Sequence, residues 1–278
     1  MVSTKNLPFN LPASLPHGTK RLRFISLALF LFITPFQLFS QARHPPATTN
    51  DHVNIGARTL VIIRRGALVK DFPEKRRATV TYPVVSGLTD PRILRRVQAI
   101  LDVKNIFETS IAEYREDNWL EEFGYEVGYN RNYILDITFS QSGAGAYPDT
   151  QSRHFAINLK TGNAIKASDV FVESKRSILA DLVNRRLQAE LKRILEELSS
   201  SKSDPEDIRI AKEAQEPLEF KIENLNDFAV GPKGITFLYD AGYPHVIQAF
   251  EPVGRYFFMY AELKPFIKRE SVLGQFIE

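Results

Sequence analysis

The 278-residue chain has no cysteine, one tryptophan and two methionines. Without a thiol there is no disulfide, no zinc–thiolate site, no cysteine nucleophile and no cysteine for lipid attachment, so the protein folds on its hydrophobic core alone. Histidine is scarce as well: five are present, and only His154 and His245 fall in the part read as folded. No H-x-x-x-H or H-x-E spacing joins them, and a zinc site would need Asp149 or Asp240 brought in by the fold, so no metal and no cofactor is expected. Excess charge of one sign is also lacking. The net charge of +3 comes from Lys5, Lys20, Arg21 and Arg23 near the N-terminus; beyond residue 42 there are 32 basic and 33 acidic residues. That balance carries no nucleic-acid footprint.

What is present begins with an address. Lys20, Arg21 and Arg23 precede an apolar run from Phe24 to Phe39, and Ser40-Gln41-Ala42 places small residues at a cleavage-site spacing, which reads residues 1–42 as a secretory signal peptide. The uninterrupted part, Phe24 to Ile33, is short for a membrane span and Pro35 follows it, so a membrane contact is expected only through an uncleaved N-terminal anchor. Residues 43–57 are polar and proline-bearing and predict a flexible linker.

From there the periodicity alternates between strand and helix. Strands are predicted over 59–65 and 78–85, followed by one long amphipathic helix opened by Asp90-Pro91 and running through Ile93, Val97, Ile100, Phe107, Ile111 and Tyr114. Strands over 121–128 and 132–142, with Gly128 and Asn130 in their turn, lead to a third in RHFAINL. A second helix, 174–198, carries Ile178, Leu182, Leu187, Leu191, Ile194, Leu195 and Leu198 on one face. A short helix follows from Asp204-Pro205 to about Ala214, then strands in 220–230 and 235–240, and a last one over 255–263. The fold class is α+β, antiparallel sheets with long amphipathic helices packed on them, divided into an N-terminal segment 58–130 and a C-terminal domain 131–278.

The stretch SGAGAYPDTQSRHFAINLKTG, residues 142–162, concentrates residues that chemistry uses. A phosphate loop needs its glycines to run into a helix N-terminus with a lysine at fixed spacing, and here they run into a strand. Ser142 lacks the G-x-S-x-G order and the strand-to-helix elbow of a hydrolase nucleophile, so no catalytic residue is assigned. The stretch reads as a wide hairpin whose Tyr147, Asp149 and His154 present hydrogen-bonding and stacking groups for a ligand. The loop carrying Asp240, Tyr243 and His245 is the second candidate edge. If the two meet, they form one surface.

Three phrases carry a resemblance: TYPVVSGLTDPRILRRVQAIL at 81–101, SGAGAYPDTQSRHFAINLKTGNAIKASDVF at 142–171, and GPKGITFLYDAGYPHVIQAFEPVGRYFFMYAELKPFI at 231–267. In order and spacing they resemble the RsiV-like extracytoplasmic domains of unknown function. The resemblance implies an envelope-facing α+β module, related to the lysozyme-binding outer part of an anti-sigma factor and to accessory regions beside peptidoglycan deacetylases, with no catalytic residues to transfer. The loop 241–254 departs from the family's tyrosine- and alanine-rich pattern, so ligand specificity does not carry over. The expectation is therefore a secreted or periplasmic, non-catalytic binding or sensor module for a bacterial cell-envelope component of peptidoglycan type, or for a protein such as lysozyme. A wall-glycan hydrolase or deacetylase using Asp149, Asp240, His154 and His245 is one alternative, and an envelope scaffold is the other.

Overall fold

Alternating strand sequences from residue 54 onward build the larger of two sheets in the computed structural model of the protein, which describes residues 50–116, 119–144, 148–201 and 203–278. The described residues belong to one compact unit, Pro46–Glu278. The expected leader lies outside them. Among the described residues no helix is long and apolar enough to cross a membrane.

The larger sheet has six strands in the order of the sequence: β1 (Asn54–Ile63), β2 (Arg77–Ser86), β3 (Leu120–Arg131), β4 (Ile134–Ala144), β5 (Pro148–Asn158) and β6 (Asn163–Ala164). All neighbours are antiparallel except β2 and β3, which touch in parallel at Thr79–Glu122 and Val80–Phe123. A parallel step needs a long crossover, and the helical segment 91–116 supplies it. The smaller, antiparallel sheet holds β7 (Phe228–Val230), β8 (Gly234–Leu238) and β9 (Arg255–Met259). The fold is α+β, as the order of elements predicts.

Several boundaries differ from the expectation. The linker ends earlier: Asn54 already pairs with Ser86, and buried Val53 exchanges backbone bonds with the Asn130 side chain. After a short helix α1 (Ala67–Asp71), the expected single helix is three: α2 (Pro91–Ile100), α3 (Val103–Ile106) and α4 (Ile111–Glu116). Asp90 caps the first through Arg92 N–H, as expected, but Asp102 caps a second start through Lys104 N–H, and Ser110 with Glu113 forms a third cap. Glu108, at φ 56°, lies in the left-handed region between them. The β3–β4 turn falls at Asn132-Tyr133, both at positive φ, the signature of a two-residue I′ hairpin, not at Gly128–Asn130. That hairpin straddles the boundary drawn at 130/131, so the two halves share one sheet. The last expected strand stops at Met259, and Tyr260–Leu263 is a helical turn, α8.

The alternation along β4 divides two cores. Leu135, Ile137 and Phe139 face α2, α3 and α4 together with Ile157 and Leu159, whereas Ile134 and Ala156 face the other way. On that second side the sheet meets the 25-residue helix α6 (Arg176–Ser200), the smaller sheet and the one-turn helix α5 (Ala167–Val170). α6 buries Leu179, Ala180, Val183, Leu187 and Leu191. Ile178, assigned above to the inner face, is 55% exposed. Phe171, Phe228, Phe237 and Phe258 fill this core edge to face and tilted. α7 (Pro205–Gln215), capped by Asp204 as predicted, packs on α6.

A buried arginine ties the first core together. Arg64, 1% exposed, follows β1 and donates to the carbonyls of Tyr114, Lys75 and Leu120 at 3.2, 3.1 and 2.7 Å. Three chain segments thereby end on one guanidinium, whose planar fork supplies the donors those carbonyls need.

Candidate functional site

The first half of β5, residues 148–153, is exposed although it pairs with β4 over its whole length, because the second sheet covers only the far end of this face. The loop 239–254 between β8 and β9 rises beside it. Its base is closed by Tyr239 N–H donating to the Gly254 carbonyl at 2.8 Å, and its flank by Val253 N–H and the Tyr256 hydroxyl donating to the two Glu190 oxygens at 2.9 and 2.8 Å. Gly254 sits at φ 65°, and a Cβ there would come within 1.9 Å of the Tyr239 carbonyl oxygen, so only glycine allows this closure. Burial, with the Glu190 carboxylate beside it, pushes the Tyr256 phenol above its ordinary range.

Between strand and loop lies a polar cleft of ≈ 810 Å³. Asp149 to His154 form one wall, Asp240, Gly242, Tyr243, Gln248 and Glu251 the second, and Glu223, Asn224, Asn226 and Asp227 the third, with Phe107 at its border. Five carboxylates therefore face one guanidinium, that of Arg153. Two of them order their own turns: Asp149 accepts from Thr150 N–H and Asp240 from Gly242 N–H, each at 2.8 Å. Asp227 differs. Its side chain keeps a solvent-exposed side, yet desolvation by the surrounding cleft wall raises its carboxyl above the usual value; Asp240 adds to the effect, and His154 and Arg153 oppose it. Tyr243 has its hydroxyl buried with no hydrogen-bond partner among the described residues, and burial pushes its phenol up to about 12.

His154 is the pivot between the cleft and the sheet. It stands opposite Thr138 and diagonal to Asp136 on β4, so all three side chains share a face. Its Nε2 donates to Asp136 Oδ2 at 3.0 Å and its Nδ1 meets Thr138 Oγ1 at 2.9 Å. Asp136 Oδ2 also accepts from Val230 N–H at 2.5 Å, which joins the larger sheet to β7. Gly128 makes room for this carboxylate, since a Cβ there would lie 2.7 Å from Asp136 Oδ1. With both ring nitrogens bonded to β4 side chains, His154 is held in one orientation between the sheet and the cleft.

Of the residues singled out in the sequence, Asp149, His154, Asp240 and Tyr243 line this one cleft. His245 is exposed on the 3₁₀ turn His245–Phe250 and does not line it, and Tyr147 lies outside the described residues. Sequence reasoning passed over Arg153, Asp227 and Asp136. Arg153 shares the strand face of Phe155 and Ile157 and is exposed only because it lies at the uncovered end of β5, and Asp136 and Asp227 owe their places to the contact between the sheets. Among the described residues no group of three or more histidine, aspartate and glutamate side chains is arranged to hold a metal ion.

No protein-family model matches the chain, and no curated protein matches it in sequence. Solved structures do match in fold. A member of the DUF3298 family from Bacteroides fragilis aligns with a TM-score of 0.52 at 13% identity, over 82% of this chain and 99% of that one. A DUF3298 family protein from Pseudomonas aeruginosa aligns with a TM-score of 0.49 at 12% identity, over 78% and 94%. What the chain shares with the first at this identity is the fold of a family of unknown function.

Proposed function

We propose that the protein is an extracytoplasmic, RsiV-like recognition module, exported by its N-terminal leader, that binds a peptidoglycan-type glycan of the bacterial envelope in the cleft between β5 and the 240–251 loop. One observation carries this reading: two segments nearly ninety residues apart in sequence converge on a concavity of ≈ 810 Å³ lined by hydrogen-bonding side chains. Vicinal sugar hydroxyls both donate and accept, and the lining offers carboxylate acceptors (Asp149, Asp240, Glu251), amides (Gln151, Asn224, Gln248) and the rings of Tyr243 and Phe107 as stacking faces. The excess of carboxylates favours neutral or amino sugars over acidic ones.

The test is retention of the purified protein on insoluble peptidoglycan, with N-acetylglucosamine tetrasaccharide as soluble competitor and immobilised lysozyme as the rival bait. Retention on the glycan that the tetrasaccharide competes away, and that falls about fivefold or more in Tyr243→Ala, is expected. No retention on glycan, or retention on lysozyme alone, would overturn the glycan reading.

A second reading rests on Asp227, a carboxyl in the cleft wall that keeps a solvent-exposed side while desolvation by the surrounding chain raises it, the direction a general acid uses. A glycan hydrolase working through it would release reducing ends from the same substrate, and Asp227→Asn would abolish that release while leaving retention intact.

A further inference from the structure

Away from the cleft, α6 and α7 leave a groove of ≈ 710 Å³ between them. Its floor contains an anomaly. Gln215 is only 6% exposed, yet its Nε2 is buried with no hydrogen-bond partner among the described residues. A buried amide donor left unmade costs stability, and native proteins keep few of them. The neighbouring Gln188, by contrast, spends its Nε2 on the Leu218 carbonyl at 2.9 Å, tying down the chain just after α7.

The sequence explains why Gln215 points inward. Ala211 and Gln215, four residues apart, form the buried face of α7, and Lys212 stands three residues before Gln215 on the same side of the helix. The facing stripe of α6 supplies Leu191, 4% exposed, and half-buried Leu195 as apolar walls. The charges at the rim are unevenly committed. Arg209 is held by Glu206 and Glu213, and Lys192 pairs with Glu196 at 3.6 Å, whereas the Lys212 ammonium has no ion pair among the described residues. Exposed Glu216 borders the groove and is the one lining carboxylate outside these pairs. The uncommitted groups are therefore an amide donor at the floor and an ammonium at its side, beside two leucines, with the Glu216 carboxylate exposed at the rim. Their complement is a ligand with an acceptor head and an apolar body.

We propose that this groove binds a small amphipathic carboxylate, its head accepting from Gln215 Nε2 and the Lys212 ammonium and its hydrocarbon lying on Leu191 and Leu195. The site shares no lining residue with the polar cleft, and it explains why a helix otherwise buried through alanine keeps a glutamine whose Nε2 has no partner among the described residues.

Sodium decanoate, kept below its micelle concentration, is the probe, titrated calorimetrically into the purified protein with decyltrimethylammonium as the opposite-charge control. Saturable binding of decanoate is expected, weakened about tenfold or more in Gln215→Leu by loss of a bond to a charged group, and weakened also in Lys212→Gln. The cationic amphiphile gives no saturable binding. Because Gln215→Leu removes an unpartnered amide, its melting temperature should equal or exceed that of the wild type. Absence of saturable decanoate binding, unchanged affinity in Gln215→Leu, or equal uptake of the cationic amphiphile would overturn the proposal. So would a melting temperature several degrees lower, or failure to fold, in Gln215→Leu, because either result would mean that solvent or protein already satisfies the amide.

Discussion

Replacing Asp136 by alanine attacks the junction on which the cleft is mounted. The carboxylate is 3% exposed, and one of its oxygens accepts both from His154 Nε2 and from Val230 N–H. Alanine leaves two buried groups without partners, a backbone N–H on β7 and an imidazole on β5, at about 1–3 kcal/mol each. With the small void added, we predict a loss of about 3–5 kcal/mol. For a unit of this size that corresponds to a melting temperature lower by roughly 6–20 °C. Asp136→Asn keeps the shape and one acceptor, so it should lose less than half as much. Urea unfolding followed by circular dichroism measures both, and the slope with denaturant should not change. A loss below about 1 kcal/mol in Asp136→Ala, with the same slope, would refute the view that this carboxylate joins the two sheets.

Other consequences follow from single side chains. Arg64→Leu strands the carbonyls of Tyr114, Lys75 and Leu120 and should cost about 2–4 kcal/mol in the same unfolding assay. Tyr243→Phe removes a buried hydroxyl that has no partner among the described residues, so it should leave stability unchanged or raise it by up to about 1 kcal/mol, read as a thermal shift. Asp227 gives a pH signature. Its folded carboxyl binds a proton more tightly than the ordinary 3.8, so the stability it lends is complete below that value and is lost as pH rises through the raised folded value. Asp227→Asn should therefore melt above the wild type at pH 7, with the difference shrinking as pH is lowered toward 4; melting curves across that range would expose a constant difference if burial is not the cause.

How much of this was legible in the sequence depends on whether a signal is local. The hairpin of β4 and β5 announces itself through alternation at Leu135, Ile137 and Phe139, and α7 through Asp204-Pro205, because each signal lies within the element it builds. The segment 91–116 misleads for a related reason: its apolar spacing suits one helix, while Asp102 and Ser110, unremarkable within that pattern, bond to backbone N–H groups and start new ones. Ile178 misleads because helical spacing alone does not choose which of two overlapping stripes meets the core. At the site, Asp149, His154, Asp240 and Tyr243 stood out as polar and aromatic residues at loops and strand ends, where ligands meet folds. Asp136 shares its β4 face with Ile134 and Thr138, a mixed pattern, and only the packing of β7 against that face makes it a buried acceptor. Asp227 follows a 3₁₀ turn and stays solvent-exposed, and what raises its carboxyl is partial desolvation where the cleft walls meet, which no local pattern shows.

The most direct test of the cleft as a recognition surface is amide chemical-shift mapping of the isotope-labelled protein titrated with N-acetylglucosamine tetrasaccharide. The account predicts saturable shifts concentrated in residues 149–154, 223–227 and 240–251, with α6 and α7 unaffected. No saturable shifts, or shifts clustered away from those three segments, would contradict it.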